Sequence, residues 1–303
     1  MHPQSGKLYL VATPIGNLED ISFRAVRILK EADLIACEDT RRTNKLLSHF
    51  AIATPRLSYH EHNEAARTPR LIGLLREGRN VALVTDAGTP LISDPGYALV
   101  SACRREGIEI VSIPGPSAAI AALAGSGLPC DAFFFAGFLP ARSAERKKRL
   151  RELSNLSTTL IVYEAPHRLL SALEDIVALL GPRQACLARE LTKIHEEWLH
   201  GTLVEILDQI KIRPKIQGEI TLLIEGREAS PSQACWPASV KEHLEKEIGA
   251  SGASPKEALK AIAKQRGISR KRAYQLLLEE KRLHQASSLE PGRAGFTSGA
   301  EDA

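Results

Sequence analysis

Through the first two-thirds of the chain, short apolar runs alternate with stretches whose apolar residues recur at helical spacing. LYLVA at Leu8, DLIACE at Asp33, NVALV at Asn80 and IEIVSI at Ile108 are too short for buried helices and read as strands. Between them SFRAVRILKEA, TRRTNKLLSHF, NEAARTPRLIGLLREG and GYALVSACRREG read as helices. Such a βα rhythm predicts an α/β chain with a mostly parallel, three-layer sheet. Gly78 and Gly107 each follow a predicted helix and suit its left-handed end.

A second set begins near Phe133. FFFAG, TLIVYE and QACLARE read as strands, and RSAERKKRLR and HRLLSALEDIVALLG as helices. HEEWLHGTL and GEITLLIEG read as hairpin-type strands flanking the short helix LVEILDQIK, which predicts a sheet of mixed direction. AGSGLPC, Ala124 to Cys130, marks the junction. We therefore expect a first αβα domain over 1–125 and a second over 126–226.

Beyond Gly226 the composition shifts. REASPSQACWPAS reads as a linker over 227–237, followed by a helical domain over 238–283. There Ser254 and Glu257 form a capping box around Pro255 at the first helical position. Gly267 ends that helix and Ser269 caps the next, so the pair resembles a helix-turn-helix. Positions 284–303 lack core residues and are expected to be disordered.

At 303 residues the chain exceeds one ordinary core. Its 44% hydrophobic and 25% charged residues are those of a globular protein, and its longest apolar runs fall far short of a membrane span. The start, MHPQSGK, has no apolar signal core, so a cytoplasmic location without membrane attachment is expected. The five cysteines are scattered and form no C-x-x-C pair, which argues for reduced thiols. The net charge of +4 is mild, but Arg142–Arg151 and Lys260–Arg282 are basic clusters that suit a polyanion such as RNA.

The chemistry concentrates at predicted strand ends, where open α/β sheets bind ligands. The segments are ATPIGNLEDIS, CEDTRRT, SYHEHNE, TDAGTPLISDPG, PGPSAAIAAL, YEAPHR and ARELTKIHEE. TDAGTPLISDPG has neither the dinucleotide glycine pattern nor a phosphate-loop lysine. In it Asp94 and Pro95 are expected to start the next helix, with Asp94 as its cap. Ser117 is expected to cap a helix of small residues that leaves room for a ligand. His60 and His62 lack a third metal ligand. In CEDTRRT, Asp39 can cap the following helix, or Glu38 and Asp39 can act on a ligand beside Arg41 and Arg42.

ATPIGNLEDIS, EDTRRT, TDAGTPLISDPG, PGPSAAIAAL, YEAPHR and ARELTKIHEE together resemble the signature segments of the ribosomal RNA small subunit methyltransferase I family. These are S-adenosylmethionine-dependent 2′-O-methyltransferases of a cytidine in the decoding region of 16S rRNA, with the tetrapyrrole methylase fold. The resemblance spans about Gly6 to Gly226 and, more weakly, the helical tail. It implies two αβα domains of the tetrapyrrole methylase type with a cleft between them, plus a small helical C-terminal domain. It implies a homodimer that acts on 16S rRNA within the small ribosomal subunit.

The implied cofactor contacts are Pro14, Asp86, Ala87, Gly88, Thr89, Ile92, Ser117 and Ala118, with Leu139, Tyr163 and Ala188 from the second domain. Candidate bases for the ribose hydroxyl are Glu38 and Asp39, ahead of Glu164 and Glu190. Arg41, Arg42, Arg168, Arg189 and Lys193 are the expected phosphate contacts. The rival readings are a porphyrin or precorrin methyltransferase and a non-catalytic RNA-binding assembly factor.

Overall fold

The computed structural model describes residues 5–227 and 239–287. Positions 228–238 and 288–303, which hold most of the predicted linker and tail and also Cys235, lie outside them. Contacts divide the chain into two units, Met1–Glu228 and Ala229–Ala303, so both predicted α/β halves fall in the first.

The first sheet contains β1 (Leu8–Val11), β2 (Leu34–Cys37), β3 (Arg56–Ser58), β4 (Val81–Val84) and β5 (Ile110–Ile113), in the order β3-β2-β4-β1-β5. All its pairings are parallel. Helices α1 (Phe23–Glu31) and α2 (Thr40–His49) bury Ala25, Ile28, Leu29 and Leu47 on one face. On the other face α3 (Glu64–Arg76) and α4 (Tyr97–Arg105) bury Leu71, Leu75, Leu99 and Cys103. β4 is buried at all four positions, as a parallel strand covered on both faces must be. Gly78 and Gly107 stand at positive φ after α3 and α4, as predicted.

The second sheet contains β6 (Phe133–Phe138), β7 (Thr159–Glu164), β8 (Gln184–Arg189), β9 (Glu197–Thr202) and β10 (Ile220–Ile224), in the order β6-β7-β10-β8-β9. Only β6 and β7 are parallel. The expectation that the segments at β9 and β10 make hairpin-type strands fails for β10, which inserts antiparallel between β7 and β8. Its five consecutive buried residues suit a central strand and not an edge. One face is covered by α6 (Ser143–Leu153), α7 (Leu169–Leu180) and α8 (Leu203–Lys211), with Leu150, Leu173, Ile206 and Leu222 in the core. Each such fully buried side chain contributes roughly 1.5–3 kcal/mol.

The other face is covered by α5 (Ala118–Gly125), a helix expected to belong to the first domain. Its Ala119, Ala122 and Leu123 pack on Ile161, Cys186, Ala188 and Leu223 of the second sheet. Small residues permit this close approach: a Cβ on Gly125 would lie 2.6 Å from the Trp198 ring. The first half is thus joined to the second through a shared core.

In the second unit α9 (Val240–Ser251), α10 (Pro255–Gln265) and α11 (Arg270–Ser287) enclose Val240, Leu259, Ile262, Ala273 and Leu277. The Ser254–Glu257 capping box, the Gly267 stop and the Ser269 bond from the Arg272 N–H are present as predicted. α9 was not foreseen as a separate helix, and α11 runs beyond position 283 to Ser287. The Glu280 carboxylate accepts from the Val240 and Lys241 N–H groups, which fixes the start of α9 against α11. Among the described residues no helix is long and apolar enough to cross a membrane.

Candidate active site

Within the first unit the strand ends converge on a cavity of about 370 Å³, a size suited to a small-molecule ligand. Its first wall comes from Ile15, Glu38, Arg42 and the loop after β4. Its second wall comes from Phe138, the end of β7 and the start of β10, with Ser117 and Ala118 between them. Of the expected cofactor contacts, Asp86, Ala87, Gly88, Thr89, Ile92, Ser117, Ala118 and Tyr163 line it. Pro14, Leu139 and Ala188 do not. Ile15 stands in place of Pro14, while Leu139 and Ala188 are buried in the two cores of the second half.

The loop after β4 is held on several sides. The Gly88 N–H donates to the Thr13 carbonyl and the Thr13 N–H returns a bond to Gly88, so this loop zips to the loop after β1. The Thr89 hydroxyl donates to the Pro116 carbonyl at 3.1 Å, tying it to the PGPS turn. Gly88 has φ +89°, and Leu91 and Ser93 hold φ of 72° and 68° without being glycine. Two non-glycine residues at positive φ mark this loop as strained.

The expected cap at Asp94 is not found. Gly96 occupies the start of α4 without a side-chain cap, and Asp94 instead lines the cavity. Five carboxylate residues therefore line this site, Glu38, Asp86 and Asp94 on the first wall and Glu164 and Glu219 on the second. The Thr85 hydroxyl donates to Glu38 Oε2 at 3.3 Å. Burial and the nearby Asp86 charge push the Glu38 carboxyl above its ordinary range. Burial, reinforced by Glu38 and Asp86, pushes Asp94 up to about 6. Arg42 reaches Asp86 at 3.3 Å, and the Asp39 N–H donates to Asp86 Oδ1 at 3.1 Å.

Asp39 takes the other role open to it. It stands at the N-cap of α2, where Oδ1 accepts the Arg41 N–H at 2.8 Å, and its carboxylate also binds the Arg41 guanidinium. That guanidinium, through its hydrogen bond, lowers the Asp39 pKa. Ser117 occupies the N-cap of α5 without making a capping bond. The Ala119 N–H donates instead to the Tyr163 hydroxyl at 3.1 Å.

Of the remaining expected residues, Glu164 lines the cavity, and Arg168, Arg189, Glu190 and Lys193 do not. Glu164 is buried and Oε1 accepts the Arg168 guanidinium, with the Arg168 side chain only 20% exposed. Arg189 binds Glu197, which Arg213 also holds. Lys193 bridges Glu190 and Glu219, and Glu190 Oε1 accepts the Glu219 N–H. Burial pushes the Glu190 carboxyl up, but the Lys193 and Glu219 bonds outweigh it and leave the pKa low. In the described structure Arg168, Arg189, Lys193 and Glu190 are thus engaged in internal ion pairs. Arg41 and Arg42 are the exposed members of the expected set, at 90% and 68%.

Sequence reasoning missed Phe138, Ser93 and the Gly218–Thr221 stretch. The one available signal at Gly218 is its position before a strand that is apolar but for Thr221. A Cβ there would collide with the Glu190 side chain at 2.4 Å. His60 pairs with Asn63, and no group of three or more metal-ligating side chains occurs among the described residues. Cys37, Cys103 and Cys186 are buried free thiols.

Comparison with known proteins places this geometry. Residues 7–207 match the family model for tetrapyrrole (corrin/porphyrin) methylases. A ribosomal RNA small subunit methyltransferase I of Halalkalibacterium halodurans is 50% identical over 91% of this chain and 96% of that protein. The enzyme of the same name from Thermotoga maritima is 48% identical over 74% of this chain and all of that protein. Among solved structures, diphthine synthase superposes with a TM-score of 0.56 at 17% identity, covering 73% of this chain and 90% of that one. Uroporphyrin-III C-methyltransferase from Thermus thermophilus, complexed with S-adenosyl homocysteine, gives 0.51 at 22%, covering 73% and 98%. The chain belongs to the tetrapyrrole methylase family and, within it, to the ribosomal RNA small subunit methyltransferase I family.

Proposed function

We propose that this protein methylates the ribose 2′-hydroxyl of a cytidine in the decoding region of 16S rRNA, using S-adenosylmethionine. The observation that carries the reading is the carboxylate-rich, two-walled cavity, in a chain half identical to a ribosomal RNA methyltransferase over nearly its whole length. The cavity fits the cofactor. Among its described lining residues Arg42 is the one cation and is already bound to Asp86, so a positively charged ligand meets a net negative wall.

The residues placed to hold the cofactor are Asp86 to Thr89, Ser117, Ala118, Tyr163 and the start of β10. When bound, S-adenosylmethionine supplies a methyl group on a positively charged sulfur, an electrophile that needs no further activation. The protein's part is to position the ribose hydroxyl and to take its proton. Glu38 suits the second task better than Asp39. It faces the cavity with a raised proton affinity, whereas Asp39 is engaged at the α2 cap and with Arg41. Arg42, which lines the cavity, and its neighbour Arg41 are both exposed and suit rRNA phosphates.

A cytoplasmic homodimer acting on the small subunit completes the reading. The test is mapping of methylated riboses on 16S rRNA from cells with and without the gene. One decoding-region cytidine loses its 2′-O-methyl group in the deletion and regains it on addition of the purified protein. An unchanged map, with methyl transfer to a precorrin instead, overturns the reading.

A further inference from the structure

β6 contains a bulge that changes where its last aromatic residue points. Phe135 pairs with Ile161, the register then slips, and Gly137 pairs with Val162 and Phe138 with Tyr163. Ala136 is the extra residue, and Gly137 takes a left-handed φ of 64°. Side chains alternate along a strand, so without the slip Phe135 and Phe138 would face opposite sides. With it both rings contact Tyr163 edge to face, at 5.0 Å and 5.6 Å between centroids. Phe138 is thereby brought onto the cavity wall, yet remains 54% exposed.

The strained loop after β4 closes on the same bulge. A Cβ on Gly137 would lie 3.2 Å from the Ser93 hydroxyl. Ile92, beside Ser93, also lines the cavity and is 42% exposed. Two exposed apolar side chains from opposite halves thus stand at one mouth, next to the Glu38 and Asp94 carboxylates. A ring and an aliphatic side chain flanking a polar pocket suit a flat heterocycle that carries a polar sugar.

We propose that Phe138 is the platform on which the target nucleobase stacks once it leaves its RNA neighbours, with Ile92 as the opposing wall and the ribose directed at Glu38. This rests on the RNA methyltransferase reading of the site and adds the positioning residue for its substrate. Enzymes acting on single nucleotides take the base between aromatic and apolar side chains in this way.

The test uses the full chain and small ribosomal subunits lacking the methyl group. Phe138→Ala lowers kcat/KM for the subunit by roughly tenfold to a hundredfold, the range expected for losing one base stack. Phe138→Trp restores most of it. The calorimetric Kd for S-adenosylhomocysteine stays within about twofold, and the melting temperature falls by only a few degrees, as loss of the ring contact with Tyr163 allows. In parallel, a decoding-region RNA fragment with 5-iodocytidine at the methylated position is irradiated with the wild-type protein, and mass spectrometry finds the adduct on Phe138.

Wild-type kcat/KM in Phe138→Ala overturns the proposal. So does a loss confined to cofactor affinity, which would assign the ring to the cofactor's adenine. Methyl transfer without an adduct on Phe138 overturns the stack while leaving the activity standing. An adduct on Phe138 in a protein that transfers no methyl supports the stack and overturns the functional reading.

Discussion

Tyr163, on the second sheet, accepts through its hydroxyl the Ala119 N–H of α5, at 3.1 Å. The start of that helix faces the cavity, so one side chain both caps a helix and forms part of the ligand wall. Burial raises the Tyr163 pKa, which keeps the phenol neutral and available. Tyr163→Phe leaves the Ala119 N–H without its partner. A loss of about 1–2 kcal/mol is expected, seen as a fall of roughly 2–8 °C in melting temperature. Cofactor affinity falls with it, because the Ser117–Ala119 turn loses its anchor. An unchanged melting curve would show that the bond contributes nothing.

Glu38 and Asp39 are adjacent in sequence and separate in function. Glu38→Gln removes the proton acceptor and keeps the shape. Methyl transfer then drops on the order of 10²–10⁴-fold, with cofactor Kd within a few-fold of wild type. Asp39→Asn keeps a capping oxygen for α2 but loses the charge that holds the exposed Arg41, so it lowers the melting temperature only slightly and affects rate less. Single-turnover assays under saturating cofactor separate the two. A fast Glu38→Gln enzyme beside an inactive Asp39→Asn enzyme would reverse the assignment.

Arg146 lies in the basic run RSAERKKRLR yet is only 3% exposed. It binds Asp175, and Asp175 also accepts from Ser143 and pairs with Lys147. Burial raises the Asp175 carboxyl, but these three partners outweigh it and hold the pKa below the ordinary value. Asp175→Ala leaves Arg146 buried and unpaired. A cost of about 3–5 kcal/mol follows, measured by urea unfolding at neutral pH. Asp175→Asn, which keeps hydrogen-bond acceptors, costs less. Equal midpoints for both variants and wild type would refute the role of the pair.

Arg146 also shows where sequence reading stops. Composition marks the run as basic, but helical phase and the position of Asp175 twenty-nine residues away decide which member is buried. The parallel first sheet was legible because each strand is an apolar run with its own turn signals. β3 was missed because Arg56–Ser58 is three residues with polar ends. The central place of β10 depends on long-range pairing that no local pattern encodes. In the site, TDAGTPLISDPG announced itself by composition. Asp94 was misread because Asp before Pro imitates a helix start, while Gly96 takes that position. Phe138 was invisible because one unpaired residue, Ala136, sets its direction.

Asp94 carries a pH dependence. Burial, with the Glu38 and Asp86 charges adding, lifts its carboxyl from 3.8 to about 6. A raised acid pKa means that the folded chain favours the protonated form. Its contribution to stability is fully present below the unfolded pKa near 4 and is lost as pH rises through about 6. A cationic ligand reverses that preference, because its charge favours ionised Asp94 and binding releases a proton between about pH 4 and 6. Affinity for S-adenosylmethionine therefore weakens as pH falls from 7 to 5, by at most about tenfold per unit. S-adenosylhomocysteine, which lacks the sulfonium charge, shows a smaller step. Asp94→Asn flattens the S-adenosylmethionine profile, and calorimetry in buffers of different ionisation heat detects the lost proton release. Identical affinity at pH 5 and 7, or an unaltered step in Asp94→Asn, would place the cationic part of the cofactor away from Asp94.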